Sequence, residues 1–289
     1  MHSPRHRVHS PASRQASAMF SRHSVAVTLA LLTASCTAPV AHQPQGGTGR
    51  VATWSVPMLL RYAALFVDAE ALRGSIAETP VIIDGEFGEQ LIEQRLLLVG
   101  GADLTMQVTV RGTLRTLLRS GVSTDEISLS RSALIAQGIR HLAALGIPMP
   151  AGLPEVHDLG GREILFWERR VDGVRVPGDG LRVVLAASGE LVGIAQPAPA
   201  PLAPAPAEGA RATRAAALMA AAGRLPEGGN LDGTAELAWI AAGRAGGDEV
   251  AETVRRLAWV VGCELAAGQS CAIRLDAASL DLLGWDWTP

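Results

Sequence analysis

The chain contains no lysine, so all 25 of its basic side chains are arginine, and a phosphate-binding loop that ends in Lys followed by Ser or Thr is excluded. There is no His-Glu-x-x-His, the pattern that places two imidazoles one helical turn apart on a zinc with a carboxylate between them. There is no Gly-x-Ser-x-Gly, the strained strand-to-helix turn that exposes a hydrolase serine. Aromatic residues make up only 4%, beside abundant Ala, Gly and Pro, a bias that mostly reports codon usage. The longest N-terminal apolar run, Ser24 to Leu32, is about half of the roughly twenty residues that a spanning helix takes. Only three cysteines are present: Cys36, Cys263 and Cys271.

What is present begins with an address. Arg22 and His23 form a positive n-region, Ser24 to Leu32 an apolar stretch, and small residues lead to Cys36. Read from Met19, MFSRHSVAVTLALLTASC resembles a bacterial lipoprotein signal peptide, although Thr33 stands where such peptides usually carry Leu. The resemblance implies cleavage before Cys36 and a lipid on that residue, favoured over plain secretion with cleavage nearby or an uncleaved anchor. Residues 1–35 hold four Arg and no acid, so the remainder carries 21 Arg against 28 Asp and Glu, a formal charge of about −7. A nucleic-acid partner, which requires concentrated positive surface, is not expected. The expected location is the cell envelope through a lipid anchor, or otherwise the secreted or periplasmic space.

Removing Cys36 leaves an even pair in a compartment that permits disulfides. If Cys263 and Cys271 face each other across a hairpin, Val261 lies opposite Ile273 and Trp259 opposite Leu275, and all six share one face. Zinc is the rival use of two thiols, disfavoured because no histidine is nearby.

Residues 36–50 are rich in Pro, Gly and Gln without an apolar period and read as a flexible tether. Residues 51–127 read as an α/β region, with a helix over Met58 to Leu72 and strands at Pro80 to Asp84, Leu96 to Val99 and Leu104 to Val110. From Ser130 the pattern sharpens into a capped amphipathic helix through Leu134, Ile135, Ile139, Leu142 and Leu145, stopped by Gly146 and Pro148. Strands follow at Glu163 to Val171, Leu181 to Ala187 and Leu191 to Gln196, punctuated by Asp172-Gly173 and Ser188-Gly189. The helix would bury the face shared by Leu181, Val183, Leu185 and Ala187. Residues 197–208 open with PAPAPLAPAP, an extended polyproline-type linker. A second such order then begins: a helix over Glu208 to Ala222, and strands near Ala235 to Ala241, Val250 to Cys263, Cys271 to Asp276 and Leu280 to Trp285.

Residues 164–196, ILFWERRVDGVRVPGDGLRVVLAASGELVGIAQ, are similar to the fungalysin/thermolysin propeptide pattern: Trp167, Gly173, Val176 and Pro177 match its turn, and Leu181 to Ile194 the hairpin after it. EGARATRAAALMAAAG, LAWVV and IRLDAASLDLLGWDW together resemble a PepSY domain, with Leu275, Asp276, Ala277, Leu280 and Trp285 at the places of its closing motif and Ser279-Leu280 replacing the usual Thr-Gly. The likeness covers about 160 of 289 residues, a propeptide-like module over 128–196 and a PepSY-like module over 209–289. It implies an α+β fold of tandem small antiparallel-sheet-plus-helix modules after the N-terminal region. It also implies a non-enzymatic protein-binding role, inhibiting or chaperoning a secreted metalloprotease or another envelope protein, with no catalytic residue, cofactor or metal. A structural envelope lipoprotein and a hydrolase with its site within 51–127 are the alternatives.

Several side chains have a chemical and a bland reading. His141 reads as a partly exposed helix residue, and His157, beside Asp158, as a loop residue. DGEFGE at 84–89 lacks the ligand spacing of a calcium loop and reads as a solvated turn. Arg111, Arg115 and Arg119 would line one exposed face of a helix. Trp239, Trp259, Trp285 and Trp287 read as core fillers on strands.

Overall fold

A computed structural model describes residues 48–99, 101–122, 128–241, 254–265 and 269–288, with side chains from Ser55 to Asp286 within those ranges. All lie within one compact unit, Gln45–Pro289. Cys36, His42 and the tether to residue 47 lie outside the described residues.

Helix α1 (Thr48–Ala63) starts ahead of the expected Met58, carries Pro57 within it, and does not run on to Leu72. Asp68 Oδ1 instead accepts the N–H groups of Glu70 (2.9 Å) and Ala71 (2.8 Å) and starts a separate helix, α2 (Ala69–Arg73). Strands β1 (Ile76–Ala77), β2 (Val81–Asp84), β3 (Gln90–Leu97), β4 (Asp103–Thr109) and β5 (Leu114–Arg119) follow. Every pairing among them is antiparallel, so this region is α+β like the rest of the chain and not α/β.

Helix α3 (Arg131–Ala144) has the predicted cap, with Ser130 Oγ accepting from Ala133 N–H at 3.4 Å. Its end is a Schellman closure: Ile147 N–H reaches Leu142 O at 2.9 Å, Gly146 N–H reaches Ala143 O at 3.0 Å, and Gly146 takes φ 70°. Strands β6 (Glu155–Asp158), β7 (Arg162–Val171), β8 (Val174–Ala186) and β9 (Leu191–Ala195) come next. Asp172 (φ 51°) and Gly173 (φ 78°) make the β7–β8 turn in the left-handed region, as a two-residue hairpin with strand-matched twist requires. Strand β8 begins at Val174, ahead of the expected Leu181, because residues 176–179 form a bulge opposite one residue of β7 and pairing resumes on both sides.

Helix α4 (Arg214–Ala222) is shorter than the predicted Glu208 to Ala222. Ala212 is held from two sides, its N–H on Ala277 O (2.8 Å) and its carbonyl accepting from Trp259 Nε1 (3.1 Å), and the extended Thr213 becomes the cap. Strands β10 (Asn230–Ala241), β11 (Arg255–Glu264), β12 (Ser270–Asp276) and β13 (Leu282–Thr288) form an antiparallel meander. The part of the predicted strand at 250–253 lies outside the described residues.

Among the described residues the strands do not make separate small sheets; they join into one of thirteen. Strand β5 pairs with β9 through Leu117↔Ile194, and β8 meets β10 in parallel at Arg175↔Ala238. Joining them satisfies rows of backbone donors and acceptors that isolated modules would leave open at their edges. All three long helices pack on one face. Leu59 and Ala63 of α1, and Leu134 and Leu142 of α3, share a core with Leu104, Met106, Leu165, Leu181, Val183 and Leu185. Ala217 and Ala221 of α4 cover Trp259, Val261, Cys263, Cys271, Ile273 and Leu275. Each fully buried Leu or Ile contributes about 1.5–3 kcal/mol, so these layers carry the fold. Gly138 is required where α3 lies on the sheet: a Cβ there would stand 2.3 Å from Leu165 Cδ1.

Arg111, Arg115 and Arg119 do not line a helix. Arg115 and Arg119 belong to strand β5, and Arg111 to the turn before it. A bulge sets Gln107↔Thr116 beside Val108↔Leu114, leaving Arg115 without a register partner on β4 and turning Leu114 and Leu117 to the same side. That three-residue spacing imitates helical periodicity.

Candidate functional site

The sheet has three margins, and their side chains set them apart. Strand β6 presents Glu155, His157 and Asp158, the kind of charged edge that discourages pairing with another chain. His157 is therefore a strand residue and not a loop residue, placed by pairing with Ile164, with Nε2 3.5 Å from Glu155 Oε2 on the same side of the strand. Burial lowers its pKa, opposed by the Glu155 carboxylate. Strand β13 closes the opposite end, its Trp285 packed on the α4 core. The third margin, β1 and β2 along β3, is the apolar one.

There Ile76 pairs with Leu97 and Val81 with Glu93, so Ile76, Val81 and Leu97 project from the face away from the helices. Their exposures are 65%, 48% and 37%, and Val99, just beyond β3, is 60% exposed. Gly74 lets Val99 lie close, since a Cβ at that position would come within 2.5 Å of Val99 Cγ2. Large apolar side chains exposed singly are ordinary; here Ile76, Leu97 and Val99 lie at one end of the margin, and Val81 stands opposite Glu93, four residues further along β3.

A buried polar relay holds this margin to the helix layer. Ser55 Oγ donates to Gln94 Oε1 at 3.1 Å, and Gln94 Nε2 donates to the carbonyls of Glu78 and Arg95. Glu78 N–H returns to Arg95 O at 2.9 Å. Glu78 sits between β1 and β2, where the outer strand breaks, so Gln94 supplies from the core the hydrogen bond that the missing ladder would have made. Acids flank the apolar strip: Glu78, Asp84 and Glu93, the last accepting from Gln107 Nε2 at 2.7 Å. Arg95 is engaged with Asp103. Burial works to raise the Asp103 carboxyl, but hydrogen bonding to Ser120 and Arg95 outweighs it and holds the group below its ordinary value.

The other sequence candidates are dispersed. Cys263 lies opposite Cys271, Val261 opposite Ile273 and Trp259 opposite Leu275, the predicted register, and the two sulfurs are bonded. His141 is half-buried on α3, with Nε2 3.1 Å from Gly189 O and its ring 5.5 Å from that of Phe66; burial lowers its pKa. Residues 86–88 form an exposed one-turn helix, and Glu89 is ion-paired with Arg115 at 2.7 Å. Trp239 and Trp259 are core residues, and Trp285 is partly buried against the α4 core. Trp287 lies in β13, with its side chain outside the described residues. The recess between Phe66, Leu117 and Leu191 has one ionisable lining group, Arg119, bound to Glu190 and to Phe66 O. Among the described residues no group of three or more His, Cys, Asp or Glu could hold a metal ion, and no helix is long and apolar enough to cross a membrane. The β1/β2 margin escaped sequence reading because Leu96 to Val99 is a continuous apolar run, in which inward and outward positions look alike.

No protein-family model matches the chain, and no curated protein matches it. Among solved structures, the Bacillus megaterium YpeB C-terminal domain is similar at 10% identity, over 86% of this chain and 98% of that one, with a TM-score of 0.46.

Proposed function

We propose that this chain is a non-enzymatic, exported protein-binding module that inhibits or chaperones a secreted or envelope protease, anchored to a membrane by a lipid on Cys36. The single observation that carries the binding role is the apolar β1/β2 margin, where an outer strand of two plus four residues leaves backbone groups and four large side chains open to a partner. An extended strand of the partner adds alongside β2, with main-chain hydrogen bonds giving affinity and Ile76, Val81 and Val99 selecting apolar side chains. The acidic flanks favour a strand with basic neighbours. The protease as partner rests on the sequence likeness to propeptide modules.

The test is to add the purified mature protein to a co-secreted metalloprotease, measuring peptide hydrolysis and the yield of active enzyme on refolding. Dose-dependent inhibition or increased yield, abolished by Ile76→Glu with Val99→Glu, supports the reading. No effect on either measurement removes the protease.

A further inference from the structure

The three long helices share a charge pattern that the rest of the chain lacks. Sixteen residues of α1, fourteen of α3 and nine of α4 contain Arg50, Arg61, Arg131, Arg140 and Arg214 and no Asp or Glu. Beyond residue 35 acids outnumber arginines by 28 to 21, so the excess acid lies on the strands, α2 and the connections. Arg131 and Arg214 even stand at the first helical position, directly after the caps Ser130 and Thr213. A positive charge there opposes the helix dipole where a carboxylate would favour it, so helix stability does not explain the acid-free layer.

On α1 and α3, which share one core, Arg61 lies midway between the buried Leu59 and Ala63, and Arg140 midway between the buried Gly138 and Leu142. Both therefore leave their helices on the side away from the sheet, and both are exposed. Among the described residues neither is in an ion pair; the paired arginines Arg95, Arg115, Arg119, Arg169, Arg175 and Arg274 all belong to strands. Arg140 meets the Gln137 amide, a neutral partner that leaves its charge unmatched. Beside Arg61, Leu60 is 39% exposed, and Leu65, just past the helix, is 45% exposed. The next acids along the chain belong to α2, where Asp68 caps the helix and Glu70 is offset by Arg73 three residues on. Helix α1 is also the element that follows the tether. Eleven residues separate Cys36 from Thr48, and a coil of that length reaches roughly 20 Å, so a lipid on Cys36 would keep the start of α1 close to a bilayer.

We propose that the outer side of α1 and α3 docks on an anionic lipid surface, with the Arg61 and Arg140 guanidinium groups among headgroup phosphates and Leu60 and Leu65 at the apolar boundary. Planar guanidinium donors match phosphate oxygens, exposed leucines gain by leaving water, and the absence of acid from both helices removes the repulsion that such a surface would otherwise exert. The acidic remainder of the chain is then turned away from the bilayer. Where the membrane lies rests on the reading of Cys36 as the anchor; the docking surface itself rests on the helices and is tested without the lipid.

The full mature chain, made without lipid, is sedimented with phosphatidylcholine vesicles that contain or lack phosphatidylglycerol. The expected result is partitioning onto the phosphatidylglycerol vesicles alone, lost as sodium chloride is raised. Arg61→Gln and Arg140→Gln should each lower it about fivefold, and the double variant by about the product. Arg61→Lys with Arg140→Lys should keep it, as should Arg170→Gln, on an exposed arginine of β7. Leu60→Gln should weaken it without changing its salt dependence. No partitioning, equal partitioning onto both kinds of vesicle, or partitioning that survives the double Gln variant in a protein with an unchanged circular dichroism spectrum overturns the proposal. Mass spectrometry of Cys36 tests the anchor separately, so loss of one reading is not mistaken for loss of the other.

Discussion

Ser55 on α1 and Gln94 on β3 are both fully buried and hydrogen-bonded at 3.1 Å, a polar contact that ties the helix to the strand beneath β1 and β2. Ser55→Ala removes the donor and strands the Gln94 carbonyl, at a cost of about 1–3 kcal/mol. Gln94→Met also releases Glu78 O, so the first losses should appear at β1 and β2. Denaturant titration measures the total. Hydrogen exchange should show faster amide exchange at Ala77 to Val81 in Gln94→Met than in Ser55→Ala. The double variant should lose less than the sum of the singles, because the two side chains share one bond.

The disulfide closes an eight-residue separation. Constraint of the unfolded chain alone predicts a loss of about 2–3 kcal/mol when Cys263 and Cys271 are both changed to Ala. Both cysteines are buried under α4, so the lost sulfur packing adds to this. Native-state hydrogen exchange should show the loss concentrated in β11 and β12. A uniform change across β3 to β9 would contradict the local role.

Histidine titration supplies the pH dependence. The folded-state pKa values of His141 and His157 are lowered, chiefly by burial, while unfolded histidine titrates at about 6.5. The unfolded chain therefore binds more protons as pH falls through that value, and stability declines from there down to the depressed folded pKa values. Glu163 has the opposite sign: burial, then the Asp158 charge, raises its pKa, so its contribution improves as pH falls through the folded value toward its ordinary 4.5. Urea midpoints between pH 7 and 5 should fall in the wild type and fall less in His141→Gln, whose amide retains a polar group facing Gly189 O.

The parts legible in the sequence share a cause: their signals are local. The Ser130 cap, the Gly146 stop, the Asp172-Gly173 turn and the Cys263–Cys271 register each depend on residues close in the chain, and each stands as read. The misread parts are where tertiary contacts overrule local pattern. The β5 bulge turned a strand into an apparent helix, and the hydrogen bonds of Ala212, from Trp259 Nε1 and to Ala277 O, cut α4 short at Thr213. The joining of β5 to β9 and of β8 to β10 depends on contacts far apart in the chain, which no periodicity carries. The β1/β2 margin was hidden for a local reason, the continuous apolar run Leu96 to Val99, in which inward and outward positions look alike.

Leu280 occupies the left-handed region with φ 61°, in the turn between β12 and β13 where the resembled motif carries glycine. A side chain in that conformation costs about 1–2 kcal/mol. The turn is held by the Asp276 carboxylate, which accepts from Ala278 N–H (2.9 Å) and Ser279 N–H (3.0 Å), while Leu280 N–H reaches Asp276 O at 3.1 Å. The Leu280 side chain recovers part of the strain by packing on the α4 core. Leu280→Gly removes both terms, and because the side chain is only partly buried they nearly cancel, leaving stability within about 1 kcal/mol of wild type. Leu275→Ala, one turn away and fully buried, has no strain to release and should cost about 2–5 kcal/mol. Paired denaturation curves decide the matter. A loss at Leu280→Gly as large as that at Leu275→Ala would mean that packing, not backbone conformation, explains why leucine stands in the glycine position.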